Sequence, residues 1–398
     1  MTTSSEVIKP PPTAIGVLGW LRRNLFSTWY NALLTLVTGW LIYSFLRGLL
    51  RWSFTEARWG VVTENLRLFM VGRFPPDQLW RSGACVLIIS LLIGLSWGVW
   101  SGAMRSFAVA FAAGFAALAL LPFHLVVRLW SVGNLVLIVA SMVLVRRVRS
   151  SHWKRWILIG WILSPVAMFV LLRGIPGVKL LSVVDIGLWG GLLLTLFLSL
   201  GGIVASMPLG ILLALGRRSE LPVVRLFSIF FIEVVRGVPL VTVLFVASIM
   251  LPLFLPQEIR IEQVWRVLAG IIIFSAAYNA ENVRGGLQAV PEGQVEAAKA
   301  LGMKGWQVTY VIVLPQALRA VIPATVGQFI SLFKDTSLAG IAGLLELLYI
   351  GKVVLAQPAW LGRQQEVYVF VAIVYFVFCY AMSYASQRLE VALGVGER

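Results

Sequence analysis

The chain reads as an all-α integral membrane protein with about ten transmembrane helices, and three observations predict that class. Of its 398 residues, 59% are hydrophobic and only 13% are charged, against roughly a quarter charged in ordinary soluble domains. The apolar residues collect in repeated stretches of about 17–25, the length that crosses a bilayer as helix. Sixteen Trp suit a chain with two membrane–water interfaces, where Trp concentrates. Lipid offers no hydrogen bonds to a bare backbone, so helices that satisfy their own are the expected elements.

The first five spans are expected at 30–50, 84–100, 107–121, 132–145 and 156–172. The second five are expected at 188–215, 223–250, 264–282, 308–333 and 367–385. Residues 107–145 read either as two short spans or as one re-entrant pair. The chain divides near residue 180. The first half (1–180) is apolar, with almost no polar residue buried in a span, and the second half (181–398) carries polar and charged residues within its spans. No repeat of 20–50 residues is found.

The formal net charge is +16. The basic residues sit in short clusters between apolar runs, such as Arg146, Arg147, Arg149, Lys154 and Arg155. That arrangement fixes membrane orientation and argues against nucleic-acid binding. Arg22 and Arg23 before the first span place the N-terminus in the cytoplasm. Alternation then puts the Arg146–Arg155 cluster, Arg217, Arg218, Arg225, Arg388 and Arg398 inside, with the C-terminus. The outer loop 51–83 fits less well, since it holds Arg51, Arg58, Arg67, Arg73 and Arg81. Its stretch 61–71 is amphipathic and is expected to lie on the outer surface. The polar, Pro-rich residues 1–13 do not read as a removable signal peptide. Cys85 and Cys379 form no disulfide or metal pattern. No nucleophile–base or metal constellation points to an enzyme, and no phosphate-binding loop of the G-x-x-x-x-G-K-[ST] kind is present.

The most informative stretch is 296–315. Pro291 signals a helix start, the residues of 296–301 are good helix formers, and Gly302 stops the helix. A short helix, a turn and a second helix are therefore expected on the cytoplasmic face. Ala297 and Ala298 leave a shallow surface that another protein can approach closely. On physical grounds alone the segment is equally an ordinary amphipathic loop helix.

Three clusters of polar residues fall inside spans, where charge is expensive and commonly functional. Glu233 and Arg236 share a helix face about mid-span, and Gly237 and Pro239 should break the helix just beyond. Such a break exposes backbone groups to a polar solute, although the pair also reads as a structural ion pair. Tyr278, Glu281 and Asn282 line one face, with Arg284 near the exit, as a substrate path or as interhelical hydrogen bonding. Lys334, Asp335, Thr336 and Ser337 read as a zwitterion site or as a helix end whose lysine reaches the interface.

The spacing at 296–315, E-A-A, three residues, G, nine residues, I-x-L-P, resembles the EAA loop of ABC importer permeases, with every position present. The resemblance implies a type I importer core in the last five spans and a coupling loop at 291–315. Glu296, Ala297, Ala298, Gly302 and Pro315 would then dock on an ATP-binding subunit dimer, which would hold the ATP and Mg²⁺ that this chain does not. Residues 233–240 (E-V-V-R-G-V-P-L), 278–286 and 334–338 (K-D-T-S-L) are similar to elements of the polar amino acid uptake branch of that family. The departures are Asn279 and Val243, where many members have Gln. The element at 74–81 (F-P-P-D-Q-L-W-R) resembles the M subunit of general L-amino acid permeases. These resemblances imply a multi-pass bacterial inner-membrane protein that pairs with a second permease, receives an amino acid from a periplasmic binding protein and passes it inward. The rival readings are an ion-coupled secondary transporter, which also needs midplane charge, and a non-transporting membrane scaffold.

Overall fold

The computed structural model describes residues 16–100, 102–120, 125–148, 150, 152–256 and 258–394. Residues 1–13, Arg149 and Arg398, which entered the charge reading, lie outside the described residues. The chain falls into two units, residues 1–60 and 61–398.

The first unit holds α1 (Gly16–Asn24) and α2 (Trp29–Arg51). Thr28 caps α2 by accepting the N–H of Asn31, satisfying one of the donors a helix start leaves free. Every described side chain of α2 is at least partly exposed, as suits a helix whose solvent is lipid.

The second unit is nearly all helix. Its short opening elements are α3 (Gly60–Glu64) and α4 (Leu66–Val71). The helices α5 (Trp80–Val99), α6 (Ala103–Leu120), α7 (Leu125–Arg147) and α8 (Trp153–Arg173) follow. The second half contributes α9 (Gly191–Arg217), α10 (Pro222–Gly237), α11 (Leu240–Phe245), α12 (Leu251–Phe254) and α13 (Gln263–Ala289). Then come α14 (Glu292–Ala300), α15 (Gly305–Gln307), α16 (Leu314–Ala320), α17 (Ile322–Asp335), α18 (Leu347–Leu355) and α19 (Gln364–Leu393).

Among the described residues six helices are long and apolar enough to cross a membrane, and two bent helix pairs bring the number to eight. The polar α13 and the shorter Met104–Leu120 stand at the remaining two expected positions. Residues 107–145 form two separate helices, α6 and α7, packed together and against α5.

Small residues set the helix spacing, as expected where lipid supplies no hydrophobic drive between helices. In α5, Gly94 and Gly98 let α7 approach so closely that a Cβ on Gly98 would lie 2.6 Å from Val145 Cβ. In the second half α9 and α13 form the most extensively packed pair. A Cβ on Gly210 would lie 2.7 Å from Asn279 Cβ, and Asn279 donates to Ser206 Oγ at 3.0 Å. Phe169, Trp189, Phe197 and Trp265 pack ring to ring at 5.3–5.9 Å, joining α8, α9 and α13.

Both bent pairs have a local cause. Gly237 ends α10 and Pro239 precedes α11, and the two arms meet at 103°. The second break, of 59°, falls at Val321 before Pro323, where one continuous span 308–333 was expected. Proline has no N–H and its ring strikes the carbonyl four residues back. The wider π turns at Val246–Met250 and Val308–Val313 lie just before Pro252 and Pro315 for the same reason.

The segment 61–71 is not a free surface helix. Val61, Val62, Phe69 and Val71 are buried, and α4 packs against α9 and α18. Gly72 pairs with Trp189 as an isolated antiparallel bridge. At Gly191, whose φ is +57°, a Cβ would collide with the Phe69 carbonyl. The amphipathic pattern was correctly read, but its apolar face meets the second half of the chain. Arg81 is likewise buried, with Nη1 donating to Ser182 O at 2.8 Å and Nη2 to Leu180 O at 3.2 Å.

Candidate functional site

The polar residues anticipated within the spans form two separate groups. The first lies where α9, α10 and α13 converge. Arg217, the last residue of α9, reaches Glu233 Oε1 from Nη1 at 2.9 Å and Glu281 Oε2 at 3.6 Å. Arg236 Nη1 lies 3.7 Å from the same Oε2. Arg284 Nε donates to Glu281 Oε1 at 2.8 Å, one helical turn away on α13. The Arg236 guanidinium stands 5.5 Å from the Tyr278 ring centroid, a cation–π distance.

Glu233 and Arg236 therefore do not pair with each other. Each connects α10 to a different helix, Glu233 to α9 and Arg236 to α13. Three guanidiniums face two carboxylates, leaving one positive charge in excess. Glu281 Oε2 sits between two arginines at ion-pair distance without a hydrogen bond, and Arg236 Nε is also buried and unpartnered. These two contacts to Oε2, at 3.6 and 3.7 Å, are looser than the Arg217–Glu233 and Arg284–Glu281 hydrogen bonds beside them.

This cluster is tied directly to 291–315. The helix α13 runs on from Glu281 for eight residues, about 12 Å, into Pro291, which precedes α14 as expected. Arg218 Nη1 donates to Leu287 O at 3.3 Å. Ala298 is buried in one apolar cluster with Leu213, Ala214, Val283, Leu287, Val308 and Ala317, and α14 packs on the π turn Val308–Val313 that follows it. Glu296 and Ala297 face outward. Gly302 turns the chain at φ +79°, a region L side chains disfavour. Gln307 Oε1 accepts Lys304 N–H at 2.8 Å, starting the next helix, in which Pro315 is exposed. Leu301 is 85% exposed and Trp306 62% exposed, so a bulky apolar pair stands out of this turn.

The second group, Lys334, Asp335, Thr336 and Ser337, ends α17. Lys334 is exposed and Asp335 half-buried. Thr336 is buried and donates to Phe333 O at 2.7 Å, which makes it a helix-end residue. No ion pair joins these four to the arginine cluster among the described residues.

Two contributors escaped the sequence reading. Arg217 was assigned to a cytoplasmic loop, and only the chain fold brings it to Glu233. Glu346 is fully buried, and its carboxylate caps α18 by accepting Leu348 N–H at 2.8 Å and Tyr349 N–H at 2.7 Å. Tyr375 Oη donates to it at 3.4 Å. Glu346 lies between the last two spans. Burial pushes its carboxyl up to about 7, against the opposing pull of those two N–H groups, the Tyr375 hydroxyl and Lys352. A lone acid in the apolar run 341–355 was the available signal.

The bundle thus combines two bent helix pairs, an ionic cluster where α9, α10 and α13 converge, and an exposed turn beyond the end of α13. The family described as "Binding-protein-dependent transport system inner membrane component" matches residues 206–392. The inner membrane amino-acid ABC transporter permease protein YhdY of Escherichia coli K12 is 40% identical over 95% of this chain and 93% of its own length. The glutamate/glutamine/aspartate/asparagine transport system permease protein BztC of Rhodobacter capsulatus is 37% identical over 97% of this chain and 96% of its own. A solved amino acid ABC transporter with histidines aligns at 29% identity and TM-score 0.46, over 50% of this chain and 90% of that one. The chain belongs to the family of amino-acid ABC transporter permeases. That membership favours a permease driven through an ABC ATPase over an ion-coupled transporter or a scaffold.

Proposed function

We propose that this chain imports amino acids as one of two different permease subunits, receiving them from a periplasmic binding protein and coupling to an ATPase dimer through 296–315. The observation that carries the reading is the outward-facing turn with Glu296, Ala297, Leu301, Gly302 and Trp306, which follows directly on α13, the helix that holds Glu281 and Arg284 of the arginine cluster. Nucleotide-driven movement of the docked ATPase displaces α14. The C-terminal end of α13 follows, and the contacts of Glu281 to Arg217 and Arg236 open or close. The substrate binds the two states with different affinity, which is what lets ATP shift the balance between them. Mg²⁺ and ATP reside in the ATPase.

Two relatives of nearly full length carry amino acid transport in their names, one of them for glutamate, aspartate and their amides. The excess positive charge beside Tyr278 and Glu281 suits a solute with carboxylates. Arg236 or Lys334 meets a carboxylate, and Glu233, Glu281 or Asp335 an amino group, with Thr336 and Ser337 beside the path. The arms that bend at Gly237 and Pro239 flank its inner end. We further assign the chain to the M-subunit type, with both termini cytoplasmic in a bacterial inner membrane. Its importer core is 181–398 and residues 1–180 are an N-terminal extension.

Co-purification with the ATPase tests the coupling assignment. Glu296→Lys and Gly302→Asp are expected to lower ATPase recovery and substrate uptake at least about tenfold, a loss of about 1.4 kcal/mol of docking. Unchanged recovery and uptake in both variants would overturn it.

A further inference from the structure

We infer that the basic end of α7 and α8 is a binding site for the headgroup of an anionic phospholipid. The site is independent of the transport reading and concerns the part of the chain that the importer core does not use. Asp77 and Asp185 are consecutive acidic residues in the sequence, with ten Lys and Arg between them. Among the described residues the only ion pair made within that stretch is Arg173 to Glu262. Arg146, Arg147, Lys154 and Arg155 thus cluster without a protein counter-charge.

Of these cations Arg146 and Lys154 border a pocket of about 380 Å³, lined also by Gly98, Val99, Val145, Ser150 and Trp153. Trp153 donates from Nε1 to Val148 O at 2.7 Å, a bond from the first residue of α8 back to the residue after α7. Along α7 an apolar groove runs from Leu135 past Val139 and Val143 to Arg147. From Leu135 to Arg147 the helix rises about 18 Å over twelve steps, room for much of an acyl chain. A basic pocket at a helix end, an indole beside it and an apolar groove alongside match a lipid with a negative headgroup.

The site lies at the same end of the molecule as the coupling turn. The far end of α8 meets the start of α13 through Arg173 and Glu262, and α13 ends at Ala289, two residues before Pro291 and α14. The start of α8, crossing alongside, therefore stands on the α14 side, where the positive-inside rule places the cytoplasmic leaflet.

The test is native mass spectrometry of the full chain with phosphatidylglycerol or phosphatidylcholine, repeated with millimolar inorganic phosphate. The wild type is expected to retain phosphatidylglycerol preferentially. Arg146→Gln with Lys154→Gln should reduce that preference roughly tenfold or more, since each cation near the surface contributes about 1 kcal/mol. The exchange Arg146→Lys with Lys154→Arg should keep it, as should Arg128→Gln at the opposite end of α7, about 27 Å along the helix from Arg146. Equal retention of both lipids by the wild type would overturn the proposal without any variant. So would an equal loss in Arg128→Gln, or displacement of the lipid by inorganic phosphate, which would mark a phosphate site.

Discussion

Glu281 holds the arginine cluster together, since it alone contacts Arg217, Arg236 and Arg284. Replacing it with Gln leaves Glu233 facing three guanidiniums. The expected cost is about 1–3 kcal/mol, read as a lower thermal midpoint of the purified chain, together with a changed balance of inward- and outward-open states. An unchanged midpoint and unchanged uptake would show that the cluster is incidental. Glu346 makes a different prediction. Its carboxyl titrates near 7 in the fold and at 4.5 ordinarily, so the folded state binds more protons between those values. Stability is therefore greatest below about 4.5 and falls as pH rises towards 7, by a few kcal/mol in order of magnitude. Glu346→Gln should flatten the thermal midpoint between pH 5 and pH 8, and a slope that persists in that variant would assign it to another group. Glu281 could be singled out from the sequence because it is an acid in an apolar span. Its partner Arg217 could not, because sixty-four residues separate them and only the crossing of α9 and α13 joins them.

At the scale of elements, the turn between α14 and α15 depends on Gly302. With φ at +79°, a branched side chain costs about 1–2 kcal/mol, whereas Asn tolerates that region. Nothing lies within 4 Å of a Cβ placed there, so the penalty is conformational and not steric. Gly302→Val is expected to weaken ATPase docking several-fold and Gly302→Asn to retain most of it. Equal behaviour of the two would mean that the turn geometry does not matter. This element was legible in advance because its signals are local: Pro291 starts it, good formers fill it and Gly302 ends it. The break at Val321 was less legible. Residues 308–333 are predominantly apolar and were expected as one span, yet Pro315 and Pro323, eight residues apart, open a π turn and then a 59° bend. The 103° bend at Gly237 was signalled by the Gly-x-Pro step, but its size was not. The angle depends on where α10 packs, and local sequence does not specify that.

At the scale of the molecule, the division near residue 180 follows the sequence but cuts through a shared core. Val71, Phe74, Cys85 and Leu172 from before that point pack in one cluster with Trp189, Leu194 and Ile271 from after it. A chain of 181–398 alone should aggregate or unfold more readily than the full chain, seen as loss of a monodisperse peak on size exclusion in mild detergent. A stable, monodisperse product would mean that 61–180 is dispensable for folding. Composition made the membrane class and the number of helices legible, because lipid imposes those on any sequence. It did not reveal that 61–74 docks on α9, since an amphipathic stretch looks the same whether its apolar face meets lipid or protein. The central claim is that the 296–315 loop transmits ATP-driven force to an amino acid path. The most direct measurement is amino acid uptake into proteoliposomes holding this chain, its partner permease and the ATPase, with the binding protein outside. Uptake is expected to require both ATP and the binding protein and to fall at least about tenfold with Glu296→Lys. Uptake that continues without ATP and follows an ion gradient would contradict the account.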